Sequence, residues 1–461
     1  MATITADPGA PAVGAGTQAA GVAVPAVTEG NRKLRGLRSL MLTLISAVVA
    51  YGVLVGIVAW QASATTFSFY HTMVDEDSVS VDAALRARAA ALDHMSASAT
   101  FLETTGTAQQ AAAARAQERW AAYNNESRVS WRNVTDPTHG EQSVFAAADR
   151  AASDYIQQIG AMHAYYSATQ PSLAGNAYLQ AREVMNTRLV PALSGLESVK
   201  VEDMEATYAG ANERITRWRY ALIGVVGLLV ALMLAGLWAV RRMHYRWSWS
   251  IGIGLVVTVA LGILMQFQLA QASADARVMV REAYDSVASG QDMEALLSQG
   301  RALESIVVFD PDHAQEHLAS FDQYAALVEQ KLCGPRDCTA QSFLSGDDII
   351  ATNVLTSALG EQQTLGLPRA PLVANVHFRN QAAQLEAVRL AYRAWIEQHN
   401  QLASAALSRQ TQQAADISTG SAADAFAEVV KRADAANQVA RDEYDKIWQG
   451  VYTTTGLNQV L

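Results

Sequence analysis

The chain has 461 residues, half of them hydrophobic, only 17% charged, and a formal net charge of −10. That balance is too apolar for an ordinary soluble protein, and its acidity argues against direct binding to nucleic acid.

Residues 1–38 open with MATITADPGAPAVGAGTQAAGVAVPAVTEG, almost without charge or aromatic rings. Nothing there can bury a core, so a disordered cytoplasmic tail is expected. Residues 39–60 (SLMLTLISAVVAYGVLVGIVAW) then form an uncharged apolar run. Its length is close to the ~20 residues that cross a hydrocarbon core. It is too long for the apolar part of a signal peptide, and no small-residue cleavage site follows, so it reads as an uncleaved anchor.

Residues 61–219 read as helices over 61–104, 108–127, 143–168 and 174–219, with breaks at NVTDPTHGEQS and ATQPSLAGN, where Pro and Gly stop a helix. Aromatic, Arg and His residues gather around Trp120, Tyr123, Trp131, Arg132, Tyr155, His163, Tyr165 and Tyr166. Arg beside aromatic rings can clamp a small anion such as a carboxylate, which makes Trp120, Trp131, Arg132 and Tyr166 candidate ligand-binding residues. The competing reading is packing between helices.

Residues 220–240 and 249–270 are two more uncharged apolar runs, separated by the short tip 241–248. Arg32, Lys33, Arg35 and Arg38 precede the first span, and Arg241, Arg242 and Arg246 fill the tip. Basic residues mark the cytoplasmic side, so the chain is expected to run N-terminus in, C-terminus out, as a multi-pass protein of a bacterial plasma membrane. Arg241, Arg242, His244 and Arg246 then form a cytoplasmic hairpin that serves as a coupling point or only as a topology anchor. The three spans offer no polar path at mid-membrane, which disfavours a transporter.

Residues 271–461 repeat the helical plan at 271–308, 313–332, 375–412 and 420–452, around an irregular region, 333–374. That region holds CGPRDC, whose Cys333 and Cys338 are expected to pair in an oxidising compartment. His313, Glu316 and His317 spell H-x-x-E-H, the order of inverted zinc proteases; the alternative is a solvated helix start. Arg379, Tyr392, Arg393, Trp395 and His399 invite the same ligand-or-packing comparison as the first aromatic group. The last helix ends in QGVYTTTGLNQVL with no apolar run, although a fourth membrane helix would complete the symmetry. Both segments begin with QASA (Gln61–Ala64 and Gln271–Ala274) followed by DSV (Asp77–Val79 and Asp285–Val287), a sign of internal duplication.

No phosphate-cradling glycine loop, kinase signature or nucleophile elbow is present, so neither an enzyme nor a cofactor is expected. The reading is an all-α membrane protein with three transmembrane helices and two extracytoplasmic antiparallel four-helix-bundle-like domains, 61–219 and 271–461.

Tall helical bundles continuous with membrane helices resemble the ectodomains of bacterial chemoreceptors and sensor kinases. RLVPALSGLESVKVEDMEATYAGANER (Arg188–Arg214), RRMHYRW (Arg241–Trp247) and LVANVHFRNQAAQLEAVRLAYRAWIEQ (Leu372–Gln398) are similar in style and order to the actinobacterial GlnX-type membrane signalling proteins. The resemblance implies a relay between an extracytoplasmic solute-binding protein that senses amino acids and a cytoplasmic Ser/Thr kinase or its adaptor. It carries over no catalytic residue. Membrane lipid is the third expected partner, and a homodimer fits, since bundle sensors often pair. A cell-envelope scaffold and a zinc-dependent envelope hydrolase are the rival functions.

Overall fold

The computed structural model describes residues 28–132, 139–242, 249–278, 284–333 and 379–460. Among these there is no strand. The helices are α1 (Thr28–His71), α2 (Val79–Glu103), α3 (Gly106–Arg132), α4 (His139–Ser167), α5 (Pro171–Val184), α6 (Val190–Arg242) and α7 (Trp249–Val278). The second half supplies α8 (Tyr284–Phe309), α9 (Ala314–Cys333), α10 (Arg379–Leu407), α11 (Thr411–Ile417) and α12 (Ala423–Val460). Ala and Leu, both strong helix formers, recur throughout these helices.

Three helical stretches are long and apolar enough to cross a membrane: Ser46–Phe69, the stretch Pro171–Trp238, and Ile253–Gln271. They contain or overlap the three spans read from sequence. The chain divides into two units by contact. The first comprises residues 1–56 and 225–259. Within it Leu42, Val49, Val53, Trp238, Ile253 and Val256 stand exposed. A continuous apolar surface of this kind suits lipid, where the helix already satisfies its own backbone. Thr258 follows the same logic by donating to the Gly254 carbonyl at 2.8 Å, one turn back.

The second unit comprises residues 57–224 and 260–461, so the two long segments 61–219 and 271–461 both fall within it. They share one core, in which Ala91, Leu92 and Met95 of α2 belong with Leu297, Leu303 and Ile306 of α8. α2 is buried almost all round, from Ser80 to Ala99, because most of its residues are small or apolar, and its buried Arg88, Asp93 and His94 find polar partners. Helices apolar on all sides become central, and stripes of Ala let neighbouring backbones approach closely.

The two segments repeat one design. α4 and α10 are each 29 residues long. Each ends in a turn with a left-handed residue, Thr169 (φ 58°) or Arg409 (φ 55°). In both turns the following residue closes back on the helix: Gln170 N–H to the Tyr165 carbonyl at 3.0 Å, and Gln410 N–H to the Ala405 carbonyl at 2.9 Å. A short helix follows, α5 or α11, then a π-helical turn, Met185–Leu189 or Ser418–Ala422, and then a long helix. This is the Schellman type of helix ending, which satisfies carbonyls the helix would otherwise leave open.

Candidate functional site

The sequence candidates separate in space. Trp120 lies near the middle of α3, stacked on Tyr123 at 4.7 Å and close to His94 at 5.1 Å and Tyr155 at 5.6 Å. His94 sits 2.6 Å from the Tyr155 hydroxyl. Burial, and secondarily His163, lowers its pKa to about 4, so it is neutral at physiological pH. Trp131 stacks on Phe145 at 4.4 Å, and Arg132 is exposed beside it at the end of α3. Tyr166, at the far end of α4, rests on Phe101 at 5.0 Å. Trp120 and Trp131 are eleven positions apart on one helix, roughly 16 Å along its axis. No described contact joins Trp120, Trp131, Arg132 and Tyr166 into one cluster.

The H-x-x-E-H histidines turn to a carboxylate. His313 Nδ1 is 3.0 Å from Asp310 Oδ1, and His317 Nε2 is 2.9 Å from Asp310 Oδ2. Burial pushes the Asp310 carboxyl up, but hydrogen bonds and charge from the two histidines outweigh it and hold it below the usual range. Among the described residues no group of three His, Cys, Asp or Glu side chains is arranged to hold a metal ion. Cys333 is buried and disulfide-bonded; Cys338 lies outside the described residues. Arg241 is exposed, the side chain of Arg242 is not described, and His244 and Arg246 lie outside the described residues.

Two buried polar networks tie the segments together. In one, Arg88 of α2 pairs with Glu197 of α6 at 2.9 Å and with Asp292 of α8. Lys331 of α9 reaches the same Asp292 at 3.2 Å. In the other, Arg301 of α8 bridges Glu103 and Glu304, each at 3.1 Å. Glu304 also accepts from Trp395 Nε1 and pairs with His399 Nδ1, both at 3.0 Å. Ser418, in the π-helical turn, donates to Glu103 at 2.8 Å. Ser305 donates to Glu103 as well, at 3.0 Å, and burial raises the Glu103 pKa while Arg301, Ser418 and Ser305 pull against it. Trp395 and His399, candidates from sequence, are therefore members of a saturated buried network. Buried charges survive only when paired and hydrogen-bonded in this way.

A third polar assembly is open. α2, α3, α8 and α12 enclose a cavity of about 210 Å³ lined by Arg86, Asp93, Arg119, Glu126, Gln291, Glu294, Ser298, Asp434 and Arg441, with three alanines. Part of its charge is paired. Arg86 meets Asp82 at 2.5 Å and Glu126 at 3.6 Å, and Arg119 Nε meets Asp93 at 2.6 Å. Part of it is not. The buried Nε atoms of Arg86 and Arg441 have no hydrogen-bond partner, although Arg86 Nε lies 3.6 Å from Glu126 and the Arg441 guanidinium lies 3.6 Å from Asp82. Among the described residues Glu294 and Asp434 form no ion pair or hydrogen bond, and neither do the side chains of Gln291 and Ser298. Yet Gln291 is only 5% exposed and Ser298 4%. Burial, then the charges of Asp434 and Asp93, raises the Glu294 pKa to about 7. Buried polar groups left without partners are rare in native proteins, and cavities that collect them are places where a ligand completes the hydrogen bonding.

None of these lining residues was singled out from sequence except by adjacency, Arg119 standing next to Trp120. Single charges on four amphipathic helices look like solvated faces until the helices are assembled. No family model, curated protein or solved structure matches the chain.

Proposed function

We propose that the protein is a transmembrane coupling protein that relays an extracytoplasmic signal to a cytoplasmic partner such as a Ser/Thr kinase or its adaptor. Each outward segment supplies one four-helix-bundle-like half of the outer unit, an extracytoplasmic solute-binding protein delivers the signal, and the basic tip 241–248 is the inner contact. The observation that carries this reading is that α1, α6 and α7 each combine an apolar span with residues of the unit that holds the charged cavity. A change in packing around α2 and α8 has a covalent, helical route to the membrane along these three helices. Orientation comes from the basic residues flanking the spans.

The test is photo-crosslinking in native membranes from His244, in the tip, and from the exposed Tyr165 and Leu327 in the two outward segments. Mass spectrometry then identifies what is captured. A solute-binding protein outside together with a kinase or adaptor inside is the expected result. Envelope proteins alone, with a silent tip, would leave a scaffold in place of a relay.

A further inference from the structure

We propose that the cavity between α2, α3, α8 and α12 binds a small zwitterion carrying one ammonium and one carboxylate, the chemical class of a free amino acid. The lining dictates this combination. Asp434 on α12 is a carboxylate with no ion pair among the described residues, and Glu294 on α8, under the charge of Arg119 and Arg441 but hydrogen-bonded to neither, is the second acid that offers an ammonium group its counter-charge. The Nε–H groups of Arg86 and Arg441, each without a hydrogen bond although the two guanidinium groups lie 3.6 Å from Glu126 and Asp82, are donors that a ligand carboxylate can accept from. Gln291 and Ser298, almost fully buried and without side-chain hydrogen bonds among the described residues, supply neutral donors and acceptors for the remainder of the ligand.

Other classes fit less well. A simple anion would stand against four carboxylates, Asp93, Glu126, Glu294 and Asp434. A simple cation would stand against three guanidinium groups, Arg86, Arg119 and Arg441. A divalent metal lacks a cluster of ligands among the described residues. Only a ligand with both charges, set apart, is complementary to both sets at once. The volume of about 210 Å³ falls below the ~300 Å³ at which pockets for drug-sized molecules begin, so the occupant is small.

The assignment rests on the relay reading for its meaning: the ligand touches α2 and α3 of one segment and α8 and α12 of the other, so binding clamps the two together. Binding itself is measured on the whole chain, reconstituted in lipid nanodiscs and dialysed free of amino acids. The common amino acids are titrated singly by calorimetry, with acetate and ethylammonium as single-charge controls. At least one amino acid is expected to bind, with neither control binding. Glu294→Gln and Arg441→Gln should each weaken that binding about tenfold or more, the value of one hydrogen bond to a charged group. Asp434→Asn, at an exposed position, should do the same in a protein whose fold is not in question. Failure of every amino acid to bind overturns the assignment, as does a control that binds equally well or a set of variants that bind like the parent. Binding with a silent cytoplasmic tip supports the ligand and overturns the relay; partner capture without binding does the reverse.

Discussion

Glu294 shows how one residue reports on the cavity. The folded protein keeps its carboxyl protonated up to about pH 7, because burial and the neighbouring charges of Asp434 and Asp93 outweigh Arg119 and Arg441. In the unfolded chain the same group ionises near its ordinary value, 4.5. Between those two values the folded state holds more protons, so stability falls as pH rises through the window and levels off above it. Glu294→Gln should flatten that slope, seen as melting temperature recorded from about pH 5 to pH 8. A slope that survives the substitution would assign it elsewhere. Arg301 illustrates the opposite case, a charge with every partner in place. Arg301→Met strands Glu103 and Glu304 in the interior and should cost about 3–5 kcal/mol, measured by equilibrium unfolding. A loss under 1 kcal/mol would mean that water reaches the two carboxylates.

At the scale of elements, the decisive contact is the crossing of α8 and α12 beside the cavity. A Cβ placed on Gly290 would sit 1.6 Å from Asn437 Oδ1 and 2.6 Å from its Cγ. Glycine at 290 is what lets the two helices come together here. Gly290→Ala should destabilise the protein by about 1–3 kcal/mol through overpacking, and Asn437→Ala in the same chain should recover most of the loss. Absence of any recovery would show that α8 objects to Ala for some other reason. The repeated turns are a second test. Thr169 is β-branched and held at φ 58°, a conformation that costs such a residue roughly 1–2 kcal/mol. Thr169→Gly should raise stability by up to about 1 kcal/mol once the entropy of glycine in the unfolded chain is subtracted. A destabilised variant would mean that the Thr169 side chain contributes more than its backbone strain removes.

For the molecule as a whole, the shared core makes a claim about cooperativity. α2 and α8 come from different segments, yet they belong to one buried cluster, and Arg88 joins α2, α6 and α8 through Glu197 and Asp292. Both segments should therefore unfold in one transition, with amides of α2 and α8 exchanging at the same, slowest rate. Arg88→Met should shift that single transition downward by about 3–5 kcal/mol rather than split it in two. Two separate transitions in the parent protein would mean that the segments are independent bodies.

Much of the helical content was legible from local rules. The apolar runs mark the spans, and the breaks before 143 and at 168–176 fall where α4 begins and ends to within a few residues, although Pro171, read as part of the second break, is where α5 starts. The aromatic candidates were visible as types but not as partners. Trp395 and His399 share a helical face, as their spacing requires, but only the fold brings Glu304 from α8 to both of them. The H-x-x-E-H pattern was equally visible, and only the turn at Asp310 shows where its two histidines point. The cavity was invisible, because each of its charges sits alone on its own helix.

The sequence by itself determined the all-helical class, the three apolar spans and their basic flanks, since these depend on hydrophobicity and periodicity within a few turns of chain. Tertiary structure alone decided that the segments 61–219 and 271–461 share one core, which charges are sealed in pairs and which are left open around a cavity. Those outcomes depend on contacts between residues as far apart as Asp82 and Arg441. Such contacts are set by how small side chains let helices approach, and that information is spread over the whole chain.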